Sequence, residues 1–145
     1  MPVRWSRRQP RGHRRQAQRL RDRLGERPQR DDEALDEPIE VKNEFTSIYD
    51  GSSYSLTSEE DSDSTLYARV GTGVPLRGLI DLMIGRSSNL ATNLLIELAD
   101  PDSIAVMLES FGAGGMKVLR GVEDIPAYRN GLNNTTSARG LLELF

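Results

Sequence analysis

Apolar residues recur with helical spacing between residues 75 and 100. Pro75 suits the first turn of a helix, where no intrahelical hydrogen bond is lost. The apolar residues that follow lie at i, i+3, i+4, i+7 and i+8, which indicates one helix face: Leu76, Leu79, Ile80, Met83 and Ile84. Polar residues 86–89 interrupt this helix. A second helix is predicted from about Leu90, with three leucines facing inward: Leu94, Leu95 and Leu98.

Two further helices are predicted downstream. Asp100 followed by Pro101 is typical of a helix start and Gly112 of a helix stop. The apolar face between them comprises Ile104, Met107, Leu108 and Phe111. Residues 117–133 are predicted to be loop, with Asn134 or Thr135 as the cap of a last helix. That helix carries three apolar residues: Leu141, Leu142 and Phe145.

Upstream of the helices, the alternation of residues 39–42 predicts a short strand. Residues 52–64 are polar and acidic. They lack the central glycine and the terminal glutamate of a calcium-binding EF-hand loop, so a solvated loop is predicted there.

Charge is distributed unevenly along the chain. Residues 1–30 hold eleven arginines and two acidic residues, a local charge of +9, whereas the remainder carries −12. The basic stretch has too few large apolar residues to offset its ordering entropy, so we expect it to be disordered. With an acidic hinge that ends at Pro38, it forms an arginine-rich arm, residues 1–38, ahead of a predicted globular domain, residues 39–145.

The composition excludes several kinds of site. The chain has no cysteine, and its one histidine, His13, lies in the arginine-rich arm. Disulfides, thiolate metal sites and histidine-based catalytic triads are therefore excluded. No apolar run is long enough to cross a membrane. No apolar stretch follows the N-terminal positive charges, so a secretory signal is not predicted.

The polar break leads into a distinctive motif. Ser87, Ser88 and Asn89 precede a helix that carries Asn93 among leucines, and Asn-Thr-Thr follows at residues 134–136. A polar break between apolar helices is commonly only a corner capped by Ser or Asn. A buried Asn93, however, is costly unless it bonds a particular partner. The whole stretch resembles the middle of a class A β-lactamase-like serine hydrolase, a member of the penicillin-recognising family.

The resemblance implies an α/β fold of the β-lactamase/transpeptidase type. This chain would contain mostly its α-helical subdomain and part of its omega loop. The parent chemistry is acylation of a serine by a β-lactam or related amide, followed by hydrolysis, and no metal or organic cofactor is implied. The partner would be that small molecule rather than a membrane or a nucleic acid. The family is usually periplasmic or secreted, and the compartment of this chain stays open.

By the same resemblance, residues of the break would line the active-site cleft. Ser87 would relay a proton toward the leaving nitrogen, and Asn89 would hydrogen-bond the side-chain amide of the substrate. Ser88 stands where the family usually has an aspartate, so the carboxylate that normally braces this turn is missing. Asn93 would lie in the central buried helix.

The stretch from Arg120 to Asn134 resembles the omega loop. Glu123 would be the general base that activates water for deacylation, and the alternative is an ordinary surface carboxylate. Two residues separate Arg120 from Glu123, whereas the family usually has one. Asn134 replaces the aspartate that pairs with the arginine, so the expected ion pair is reduced to a hydrogen bond.

Two further family motifs, Ser-x-x-Lys and Lys-Thr-Gly, are missing. The only lysines are Lys42 and Lys117, and neither has a serine three residues earlier or a Thr-Gly after it. We therefore expect a fragment that is inactive as it stands. The alternatives are a non-catalytic penicillin-recognising binding domain and an arginine-armed nucleic-acid-associated module. Trp5 is the single stacking group in the arm, which disfavours nucleic acid, and a shifted reading frame or a neutral tail would also explain the arm.

Limited trypsin digestion tests the arm. The arginines of residues 1–30 repel one another and few apolar residues anchor them, so trypsin should remove this stretch first. The remaining core should begin near Asp31, because the next basic residue is Lys42. Slow cleavage throughout residues 1–30 would show instead that the stretch packs on the domain.

Overall fold

The computed structural model describes residues 31–145, so the disorder predicted for residues 1–30 lies outside the described residues. The described chain forms α-helices, one 3-10 helix at Thr65–Arg69, and short strands. The α-helices are α1 (Asp31–Leu35), α2 (Leu76–Arg86), α3 (Asn89–Ala99), α4 (Pro101–Ser110), α5 (Ile125–Arg129) and α6 (Ala138–Leu144). The strands are β1 (Pro38–Glu40), β2 (Phe45–Thr46), β3 (Ser53–Tyr54) and β4 (Gly73–Pro75). Helices with small sheets are compatible with the expected α/β class.

Helices α2 and α3 are the pair that the apolar pattern predicts. In α2 the predicted face is buried or packed against the core at four positions: Leu76, Leu79, Ile80 and Met83. Ile84, in the last turn, is 73% exposed, so the predicted face is wrong there. In α3 three apolar residues are buried: Leu90, Ala91 and Leu94. Because both apolar faces contribute to one buried cluster, the polar break between them is held at the edge of the core.

The strands form two separate antiparallel pairs. β1 pairs with β4, placing Ile39 opposite Val74, and both side chains are buried. β2 pairs with β3, placing Phe45 opposite Tyr54, with ring centroids 5.7 Å apart. The strand predicted for residues 39–42 is found at Pro38–Glu40. Both small sheets contribute buried side chains to the same cluster as α2 and α3.

The described part of the acidic hinge packs on the domain. Residues 31–35 form α1, and Ala34 is fully buried in the core. Asp36 is tied to α2 by an ion pair in which Arg77 Nε lies 2.6 Å from Asp36 Oδ1. Ala34 and Asp36 of the predicted hinge therefore contact the rest of the described chain directly.

Helix α4 lies at the margin of the fold. It begins at Pro101 as predicted and ends at Ser110, and Gly112 then adopts a positive φ of 76° that suits a helix stop. On its predicted apolar face Leu108 is buried, but Met107 and Phe111 are 49% and 54% exposed. The apolar stripe of α6 is also exposed, with Leu142 at 77%.

The loop predicted for residues 117–133 contains a helix. Asp124 caps α5 by accepting a hydrogen bond from the backbone N–H of Ala127 at 3.1 Å. Helix α6 begins later than predicted, because Ser137 accepts from the N–H of Gly140 at 3.0 Å and is its cap. The prediction of Asn134 or Thr135 as that cap is therefore wrong.

Across residues 31–145, every helix is too short or too polar to span a lipid bilayer.

The core assignment predicts the effect of truncating Leu79, which is fully buried. Leu79→Ala should lower the free energy of unfolding by about 2–5 kcal/mol, because it removes buried methyl groups and leaves a cavity. Ile84→Ala is the matched control from the same helix, where the exposed side chain predicts a change within about 0.5 kcal/mol. Urea unfolding of both variants measures this, and equal effects would contradict the packing of α2.

Candidate functional site

The polar break between α2 and α3 is a sharply defined turn. Ser87 ends α2 with φ 55° and ψ 36°, a left-handed conformation that is unfavourable for a residue with a β-carbon. Ser88 is fully buried, and its hydroxyl accepts from the N–H of Ala91 at 3.3 Å, so it is the cap of α3. This geometry leaves the Ser87 side chain exposed at the surface and places Asn89 at the first position of α3.

Asp61 contacts the start of α3 from the acidic segment. Its Oδ1 accepts from the N–H of Asn89 at 3.0 Å and its Oδ2 from the N–H of Leu90 at 2.9 Å. The Tyr67 hydroxyl donates to Oδ2 at 2.9 Å. Burial by itself raises the pKa of Asp61, but hydrogen bonds from the N–H groups of Asp63, Leu90 and Asn89 and from the Tyr67 hydroxyl outweigh it and hold the pKa below its ordinary value. Most of residues 52–64 are exposed, as predicted for a solvated loop, but the prediction is wrong at Asp61, whose carboxylate bonds the start of α3.

A second acidic side chain fixes this segment. The backbone N–H of Asp63 donates to Asp61 Oδ1 at 3.0 Å, and the N–H of Thr65 donates to Asp63 Oδ1 at 2.8 Å. Asp63 is only 6% exposed and lies 3.6 Å from the guanidinium of Arg86. Each aspartate therefore bonds the backbone two residues later, a turn that aspartate commonly forms.

Asn93 joins α3 to the loop that carries Glu123. It is 1% exposed, its Oδ1 accepts from the N–H of Val122 at 2.6 Å, and its Nδ2 donates to the carbonyl of Val122 at 3.0 Å. The loop approaches closely, because a β-carbon at Gly121 would collide with the Tyr54 hydroxyl and the Asn93 amide. The partner that a buried asparagine requires is thus the loop backbone.

Glu123 lies across from Asn89. The distance from Asn89 Nδ2 to Glu123 Oε1 is 3.5 Å, the outer limit of a hydrogen bond. Glu123 has a left-handed φ of 63°, held in place by its neighbours on both sides. Burial raises its pKa above the ordinary value, the negative charges of Glu60 and Asp61 raise it further, and the Asn89 hydrogen bond opposes them.

Asp124, the residue after Glu123, fixes the loop through hydrogen bonds to the β2–β3 turn and to α5. It is fully buried and accepts three hydrogen bonds, from the Ser47 hydroxyl at 2.6 Å, the N–H of Ile48 at 2.9 Å and the N–H of Ala127. The β2–β3 turn and α5 therefore meet at one carboxylate, which sets the backbone that carries Glu123.

Asn134 and Arg120 are brought together mainly through backbone groups. Asn134 Oδ1 accepts from the N–H groups of Leu119 and Arg120 at 2.7 and 3.0 Å, and its Nδ2 donates to the carbonyl of Arg120 at 2.9 Å. The guanidinium bonds Asn133 Oδ1 at 3.4 Å and the Gly121 carbonyl at 2.9 Å instead. Asn134 thus closes the two ends of the loop.

Sequence reasoning placed Ser87, Asn89 and Glu123 at the site, and the structure brings the last two into contact. It missed Asp61 and Asp124. The Asp61–Asp63–Thr65 spacing was the available signal for the first, because aspartate at i favours a turn that bonds the N–H at i+2. The signal available for Asp124 was its position two residues before Pro126, which is typical of a helix start.

No group of three or more His, Cys, Asp or Glu side chains within residues 31–145 is arranged to hold a metal ion. Near Asn89, the carboxylates of Asp61 and Asp63 accept from backbone N–H groups and hydroxyls, and Glu123 lies against the Asn89 side-chain amide.

The comparisons with known proteins point to one family. A model of the beta-lactamase enzyme family matches residues 26–145. No curated protein and no solved structure matches the chain. The family match extends across the predicted domain boundary after Pro38, since it includes residues 26–38. That boundary stays a prediction.

The charges around Glu123 predict the effect of a single substitution. Glu60→Gln removes a negative charge that disfavours ionisation, so the pKa of Glu123 should fall; Glu59→Gln, an exposed neighbour, is the control. Carbon-13 NMR of the side-chain carboxyl measures both. Because the folded pKa is raised, folding takes up a proton between the ordinary and the raised value, and this group's stability contribution decreases as pH rises through that window. An unchanged Glu123 pKa in Glu60→Gln would contradict the placement.

Proposed function

The chain belongs to the beta-lactamase enzyme family, and we propose that residues 87–134 form the side of a β-lactam site that binds the substrate amide and activates water. The observation that supports this most directly is the 3.5 Å contact between Asn89 Nδ2 and Glu123 Oε1, residues 34 positions apart in the sequence. In this proposal the described chain is mostly the helical subdomain of the fold, with part of its omega loop.

The chemistry of the side chains fits these roles. The Asn89 amide has both donors and an acceptor, so it can hydrogen-bond the side-chain amide of a β-lactam. Glu123 is a carboxylate with a raised pKa, which suits a general base that takes a proton from water. Ser87 would relay a proton at the leaving nitrogen from its exposed position beside Asn89.

The remaining residues support this arrangement. Ser88 caps the helix behind Asn89, and Asn93 holds the loop backbone next to Glu123. Arg120 and Asn134 join the two ends of that loop. These four are structural residues of the proposed site.

We further propose that the chain by itself does not acylate. A serine becomes a nucleophile when an adjacent base accepts its proton, and neither Lys42 nor Lys117 stands in a Ser-x-x-Lys motif. Lys42 is instead paired with Glu97, with Nζ 2.6 Å from Oε2. Without an acyl-serine, the water that Glu123 would activate has no ester to attack, so the expected behaviour is binding without turnover.

Benzylpenicillin and nitrocefin test both parts. We expect no nitrocefin hydrolysis above a heat-denatured control and no acyl adduct by mass spectrometry. Benzylpenicillin should nevertheless shift the NMR signals of Asn89 and Glu123. Asn89→Ala should abolish the shift at Glu123, whereas Asn130→Ala, which removes an exposed amide from the end of α5, should retain the shifts at both residues.

Each part has its own contradictory result. A stable adduct on a serine, or turnover, would overturn the proposal that the chain does not acylate. Absent shifts at Asn89 and Glu123 would overturn the proposed binding site.

A further inference from the structure

In the first turn of α3 every backbone N–H is hydrogen-bonded, two to the capping residue Ser88 and two to Asp61, which is distant in the sequence. Ser88 provides two acceptors, its hydroxyl for Ala91 and its carbonyl for Thr92 at 3.1 Å. The N–H groups of Asn89 and Leu90 both bond the Asp61 carboxylate. Helix N-termini leave such N–H groups without intrahelical partners. Asp61 therefore fixes the backbone at the residue that carries the site's amide.

We propose that Asp61 is a positioning residue of the site: its carboxylate fixes the backbone of Asn89 and thereby directs the Asn89 side-chain amide toward Glu123. The meaning of that direction for a substrate rests on the proposed function, whereas the positioning itself is a property of the fold.

Asp61 can set this position because it is itself held on several sides. The N–H of Asp63 and the hydroxyl of Tyr67 both donate to its carboxylate. Tyr67 belongs to the 3-10 helix, whose Leu66 is 2% exposed and anchored in the core. The Asp61 carboxylate is thus held in place by the core and in turn hydrogen-bonds the start of α3. Asp61 and Asn89 are 28 residues apart in the sequence.

The turn that it holds is one that would not persist by backbone preference alone. Ser87 has a left-handed φ of 55°, and residues with a β-carbon keep such a conformation only where surrounding contacts determine it. The Ser88 hydroxyl also reaches Asp61 Oδ2 at 3.5 Å. The hydrogen bonds that Asn89 and Leu90 donate to Asp61 are among the contacts that hold Ser87 in this conformation.

The negative charge of Asp61 is a competing explanation for any change that an Asp61 substitution causes at the site, because this charge also acts on Glu123. Glu60 separates the two effects. Glu60 is exposed and acts on Glu123 by charge, whereas the N–H groups of Asn89 and Leu90 donate to its neighbour Asp61. Glu60→Gln therefore removes an equal charge from the same segment and leaves the hydrogen bonds of Asp61 to Asn89 and Leu90 in place.

The test is NMR of the full chain. In the unsubstituted protein the backbone amide protons of Asn89 and Leu90 should shift together as the Asp61 carboxyl titrates. Asp61→Asn should abolish this response, move the Asn89 side-chain amide signals, and speed hydrogen exchange at both amides by on the order of tenfold or more, the loss expected for a bond to a charged acceptor. Asp61→Glu, which keeps both oxygens, should restore part of the response, and Glu60→Gln should leave it intact.

A second variant covers the case in which Asp61→Asn does not fold. Tyr67→Phe removes one bond to Asp61 Oδ2 and keeps the carboxylate, so it should shift the Leu90 amide, which shares that oxygen, more than the Asn89 amide. Unchanged Asn89 signals in Asp61→Asn, equal changes in Glu60→Gln, or no response at Leu90 in Tyr67→Phe would each overturn the inference.

Benzylpenicillin distinguishes this failure from failure of the proposed function. If the unsubstituted chain shows no response to benzylpenicillin while Asp61→Asn moves the Asn89 amide, the proposed function fails and the positioning stands. If the unsubstituted chain responds and Asp61→Asn gives the same response and the same Asn89 signals, the positioning fails and the proposed function stands.

Discussion

The two hydrogen bonds between Asn93 and the backbone of Val122 set the distance between the central helix and the loop that carries Glu123. The amide is 1% exposed, and each buried polar group left without a partner costs about 1–3 kcal/mol. Gly121 has no space for a β-carbon beside this amide, so the loop runs as close to α3 as its backbone permits. Asp124 fixes the other side of Glu123 through Ser47 and Ile48. The contact of Glu123 with Asn89 follows from these restraints.

Several carboxylates lie near the start of α3, and their pKa values are shifted in opposite directions. A helix N-terminus favours nearby negative charge. The pKa of Asp61 is held below its ordinary value by hydrogen bonds from the N–H of Asp63, from the N–H groups of Leu90 and Asn89 at that terminus, and from the Tyr67 hydroxyl. The same negative charge, with that of Glu60, adds to the burial that raises the pKa of Glu123. The pKa of Asp61 is therefore lowered while that of Glu123 is raised, although both carboxylates lie near the start of α3. A raised pKa moves a carboxylate toward the range where it accepts a proton from water most effectively.

The parts of this arrangement that leave a periodic or local signal could be predicted from the sequence. Helical spacing located α2 and α3, and a polar Asn93 among leucines indicated that a specific partner was needed. That the partner is Val122, and that Asp61 bonds Asn89, could not be predicted, because these contacts join residues 28 and 29 positions apart and leave no spacing pattern. The apolar face of α4 shows the converse limit, since periodicity indicates an apolar face without showing that Met107 and Phe111 stay exposed.

The contacts that form the Asn89–Glu123 pair do not depend on a catalytic serine. Asp61 and Ser88 accept from N–H groups at the start of α3, the buried amide of Asn93 pairs with the backbone of Val122, and Asp124 accepts from the start of α5. Each contact thus pairs a polar group of the folded chain, whether or not a nucleophile is present. Such contacts persist in a chain whose two lysines lie outside any Ser-x-x-Lys motif. The Asn89–Glu123 contact can therefore be maintained independently of the nucleophile that the proposed chemistry requires.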